Sequence, residues 1–73
     1  MLHITHSARL TTPMPYRAQG GRMQSIPVGP VLIESMDSRS IDIVWGLEGQ
    51  NFVSLPIDVV VTARDDGRLV LLD

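Results

Sequence analysis

Val31-Leu32-Ile33-Glu34-Ser35-Met36-Asp37-Ser38-Arg39-Ser40-Ile41-Asp42-Ile43-Val44-Trp45 decides the fold class. β-Branched and aromatic residues crowd its two ends, while Asp37-Ser38-Arg39-Ser40 supplies turn chemistry between them. The stretch predicts two strands, Val31 to Met36 and Ile41 to Trp45, folded into a hairpin. Burial sets the register. A three-residue connection at 37 to 39 brings Ile33 against Ile43 and Val31 against Trp45, with all four on one face. A two-residue connection sets Glu34 against Ile43 and mixes polar with apolar side chains, so it is disfavoured.

Upstream, Leu2, Ile4, Ala8 and Leu10 alternate with His3, Thr5, Ser7 and Arg9, the pattern of a half-buried strand, with His6 on the apolar side. Pro13, Pro15, Pro27 and Pro30, with Gly20-Gly21, interrupt any ladder between residues 11 and 30, which reads as an irregular basic loop or arm. Downstream, Gly46 to Asn51 turns into a strand at Phe52 to Leu55. Pro56-Ile57-Asp58 then reads as a tight turn and Val59 to Arg64 as a further strand. Asp65-Asp66-Gly67-Arg68 carries the Asp-Gly pair of a type I′ loop. A hairpin there pairs Ala63 with Val70 and Val61 with Leu72, and sets Asp65 beside Arg68. The expectation is a single small β domain spanning residues 1–73, a five- or six-stranded antiparallel barrel or sandwich with the Pro/Gly-rich segment at 11–30.

Composition agrees with that class. The chain has 73 residues, fourteen of them Val or Ile and only three Ala, and no cysteine. An all-helical bundle, a disulfide framework and a thiolate metal site are thereby excluded. A chain of 8.0 kDa buries only about 60% of its surface on folding, from about 11,600 to about 4,500 Å², so pairing with a second copy is one way to enlarge the core. The longest aliphatic runs, Val59 to Val61 and Leu69 to Leu72, are far short of a membrane span, and Met1 to His6 lacks the stages of a signal peptide. The expected location is cytoplasmic.

Trp45-Gly46, Gly49, Phe52, Leu55-Pro56 and Val59-Val60 resemble the second half of a Src-homology-3-like barrel. That resemblance implies a small barrel in which strand, glycine turn, strand, short 3₁₀ turn and last strand follow in order. The proline-rich-peptide platform of such domains uses several Tyr and Trp, and this chain has one of each. The opening Met1-Leu2-His3-Ile4-Thr5 is similar to the first strand of the carbon storage regulator family of RNA-binding dimers, with His6-Ser7 where that family has basic residues.

Charge is divided unevenly. Residues 1–33 carry Arg9, Arg17 and Arg22 and no acid, whereas residues 34–73 carry all eight acids against three Arg. His3 and His6, three apart on a strand, point to opposite faces and do not share a metal ion. No Gly-x-Ser-x-Gly elbow is present, and without Lys there is no phosphate-cradling Gly-Lys loop. No cofactor, metal or catalytic residue is expected. Elimination leaves a non-enzymatic regulator that binds a larger host protein. Its expected contact surface is Arg9, Met14, Tyr16, Arg17, Arg22 and Met23, residue types that serve well in interface cores. Small size and strand-rich, site-free composition suggest a phage-type inhibitor or antiterminator acting on bacterial RNA polymerase. The alternative is a small β-barrel that binds RNA or single-stranded nucleic acid, with the arm arginines on phosphates and Tyr16 stacked on a base.

Overall fold

The computed structural model describes residues 4–35 and 39–72. They run β1 (Ile4–Leu10), β2 (Met14–Arg17), β3 (Met23–Ile26), β4 (Gly29–Ser35), β5 (Ser40–Trp45), β6 (Asn51–Pro56), α1 (Ile57–Asp65) and β7 (Leu69–Leu71). The protein is mainly β, as composition required. Five strands form one antiparallel sheet in the order β6-β5-β4-β1-β7, and β2 pairs with β3 in a separate two-stranded sheet. Strands β6 and β7 occupy opposite edges and do not pair, so the large sheet is open among the described residues.

The β4–β5 ladder has the register that burial demanded. Ile33 faces Ile43 and Leu32 faces Val44, the offset of a three-residue connection. Of that connection, Asp37 and Ser38 lie outside the described residues, as does His3. β1 pairs with β4 from Ile4↔Ser35 to Leu10↔Gly29.

One face of the sheet holds the core. Ala8 and Leu10 of β1, Val31 and Ile33 of β4, Ile43 of β5, Leu55 of β6 and Leu69 of β7 are all buried there. Leu10, Ile26, Ile43 and Leu69 are the largest side chains wholly removed from water, each contributing about 1.5–3 kcal/mol. Helix α1, packed on β5, β6 and β7, supplies Val60 and Ala63 to this layer. The β2–β3 hairpin supplies Met14 and Ile26.

Two expectations are overturned. Residues 57–65 are helical where a tight turn and a strand were predicted, so the terminal type I′ hairpin does not exist. Five of the nine helix residues are β-branched, which at about 0.5 kcal/mol each opposes the helix by a few kcal/mol. Placing Val60 and Ala63 in the core, with Ile57 and Val61 half buried, outweighs that penalty. Asp58 lies in the first turn and accepts a hydrogen bond from the Val59 N–H at 3.1 Å, and Arg64 lies in the last turn, both favourable to the helix dipole. The Asp-Gly pair closes the helix. Arg68 N–H donates to Ala63 C=O at 2.9 Å and Gly67 N–H to Arg64 C=O at 3.1 Å, the two bonds of a Schellman cap. Gly67 has φ +79°, so the positive φ inferred for the Asp-Gly pair is present in a different motif. Arg68 pairs with Asp66 at 3.0 Å, and Asp65 with Arg64 at 3.5 Å.

Secondly, residues 11–30 are not an irregular arm. Residues 14–26 fold as the β2–β3 hairpin with register Met14↔Ile26, Tyr16↔Gln24 and Arg17↔Met23, closed by a 3₁₀ turn at Gln19–Gly21, and Gly29 and Pro30 already belong to β4. Pro13 and Pro27 stand just outside the two strands, where a missing N–H breaks no ladder bond.

Candidate functional site

The hairpin has an anchored side and a displayed side. Met14, Tyr16, Gln24 and Ile26 fall on one side by register. Met14 is 3% exposed and Ile26 wholly buried, while the Tyr16 ring meets the Trp45 ring edge-on, centroids 6.0 Å apart and planes at 67°. The Tyr16 hydroxyl donates to Gln24 Oε1 at 2.9 Å, holding the pair in its cross-strand position. On the other side Pro15, Arg17, Met23 and Ser25 all face solvent. Arg17 donates from Nη1 to Gly21 C=O at 3.1 Å, which ties its guanidinium to the turn, and exposed Arg22 follows that turn.

The six residues expected to form one contact surface are therefore separated. Arg17, Arg22 and Met23 share the hairpin end, and Met23 is 58% exposed. Tyr16 is half buried beside them. Met14 is a core side chain, removed from any surface because it pairs with Ile26 on the buried side of the hairpin, within the core cluster. Arg9 is exposed on β1, on the face of the main sheet opposite Ala8 and Leu10, and so on the side away from the core and the hairpin anchor.

That opposite sheet face is a second candidate site. The ladder registers align Phe52, Val44, Leu32 and Ser7 in one row across β6, β5, β4 and β1, and the Leu72 N–H bonded to Ser7 C=O at 2.9 Å completes it. Phe52 is 67% exposed, Leu72 59% and Leu32 42%. On one flank lie Pro30, Arg9 and Val70. On the other lie Ser54, Asp42, Glu34 and Thr5, with the Ser54 hydroxyl donating to Asp42 Oδ1. Beyond the Pro30–Arg9 flank the turn after β5 carries Glu48 and displays Leu47 fully to solvent, and a depression of about 520 Å³ runs between that turn and Leu32, Val44 and Leu72. A signal for this face existed in the sequence. Val31-Leu32-Ile33, Ile43-Val44-Trp45 and Phe52-Val53 are apolar at successive positions, which makes a strand apolar on both faces.

His6 projects on the core side of β1 and is exposed, bordering a groove of about 260 Å³ with Ile57, Val61 and Arg64 of α1. Among the described residues, no three His, Asp or Glu side chains gather as metal ligands and no helix is long and apolar enough to cross a membrane. No protein family, curated protein or solved structure matches this chain.

Proposed function

We propose that this chain is a non-enzymatic regulatory protein that binds a larger protein in the cytoplasm through the displayed end of the β2–β3 hairpin. One observation carries the reading: Arg17 stands directly opposite Met23 on the solvent side of a hairpin whose reverse side is locked by Met14, Ile26 and the Tyr16–Trp45 contact. A guanidinium and a flexible thioether on a preorganised element suit a protein interface, since little ordering entropy is lost on docking. The specific partner we propose is bacterial RNA polymerase, bound in the manner of a phage-type inhibitor or antiterminator, on the strength of chain size and composition.

The nucleic-acid alternative draws less support from side-chain placement. The Tyr16 ring is engaged with Trp45, and Arg9 lies on the sheet face away from Arg17 and Arg22, so the three cations do not line one phosphate track. Affinity capture from bacterial lysate, with and without nuclease, tests both. Polymerase subunits retained after nuclease, and lost on Arg17→Glu with Arg22→Glu, are the expected result. Retention of nucleic acid alone would replace this reading with its alternative.

A further inference from the structure

We infer that the open sheet face is a homodimer interface, in which the row Phe52, Val44, Leu32 and Leu72 of one copy packs on the same row of a second copy. This inference stands independently of the hairpin's role. A sheet with one face on a core and an apolar row across the other lacks its second layer, and the missing layer is the common way such a face is buried. The chain as a whole exposes more surface than a monomer of its mass ordinarily does. The accessible surface is 5099 Å², about 600 Å² above the value of about 4,500 Å² for a monomer of this mass. An ordinary specific interface buries about 800 Å² per partner.

Charge selects a second copy over an unrelated occupant. A two-fold axis lying along the row superposes row on row and reverses strand direction. The flank bearing Arg9 then falls over the flank bearing Glu34 and Asp42 of the other copy, and the same contact recurs on the far side of the axis. Arg9 meets the acidic flank of the other copy on each side of the axis. The interface is isologous, as closed dimers require.

Sedimentation equilibrium over a concentration series, on the full chain, is the test. The expected result is a reversible dimer, and Leu32→Asp should raise its dissociation constant by about 30-fold or more while far-UV circular dichroism stays unchanged. Arg9→Glu and Glu34→Arg should each weaken it by about tenfold, and the two together should restore it. Because the chain has no cysteine, Leu32→Cys offers a single thiol that a short bis-maleimide should link to its equivalent in the other copy. A chain that stays monomeric to about 100 μM overturns the inference. So does a dimer paired through the β6 edge. Ile57 N–H donates to Arg39 C=O, so alternate amides of β6 face β5 and those of Phe52 and Ser54 point outward. A dimer that survives Leu32→Asp but dissociates on Ser54→Pro is such an edge pairing.

Discussion

Gly67 is the position at which one residue serves two competing motifs. Its φ of +79° is disfavoured for any side chain with a Cβ, and no heavy atom lies within 4 Å of where that Cβ would stand. Gly67→Ala therefore meets backbone strain alone, at about 1 kcal/mol, and should lower the thermal midpoint by roughly 4–8 °C. Gly67→Asn should lose less, because Asn tolerates this conformation. Equal midpoints for all three would show that the cap adds nothing. Met14 and Met23 form a second contrast. Met14→Ala should cost about 2–5 kcal/mol in urea unfolding, whereas Met23→Ala should stay within about 0.5 kcal/mol. Both are methionines flanking turn-forming residues, and composition cannot separate them. The pairing of Met14 with Ile26 over the core does so.

Helix α1 shows where local pattern fails. Val59-Val60-Val61 is too short an apolar run to distinguish period two from period 3.6, and β-branched residues favour a strand. The outcome is helical because β6 ends at Pro56 on one edge of the sheet and β7 adds at the other. A connection that crosses the sheet must cover its apolar face, and a helix does so with its own backbone bonds satisfied. A peptide of residues 56–68 should accordingly show little helix by circular dichroism in water, being shorter than the length at which isolated helices persist. Strong helicity in that peptide would mean local sequence drives the helix. The β2–β3 hairpin makes a parallel case: its prolines read as breaking any ladder, yet Pro15 lies within β2, and the two strands depend on Ile26 and Met14 reaching the core. By contrast, β1, β4 and β5 were legible outright, since alternation and the pairing of Ile33 with Ile43 follow from burial of one face.

For the molecule as a whole, the sheet order predicts where stability concentrates. β4 has partners on both sides and contributes Val31 and Ile33 to the core, as does β1 with Ala8 and Leu10. Amides bonded between β1 and β4 should exchange most slowly, and those at the free edges of β6 and β7 fastest, in native-state hydrogen exchange. Protection of the outward Phe52 and Ser54 amides as strong as that of the β1–β4 ladder would contradict an open β6 edge. Of three cations clustered along the chain, Arg17 and Arg22 share the hairpin end while Arg9 lies on the open face of the main sheet. Sequence proximity could not reveal this, because β1 and the hairpin contribute to different layers. Strand content, the β4–β5 register and the positive φ at Gly67 are consequences of local sterics and of alternation, interactions that reach only a few residues along the chain. The helix at 57–65, the burial of Met14 and the exposure of the row from Phe52 to Leu72 depend instead on which distant segments cover which face of the sheet. Contacts between residues far apart in sequence decide those, and no local window contains them.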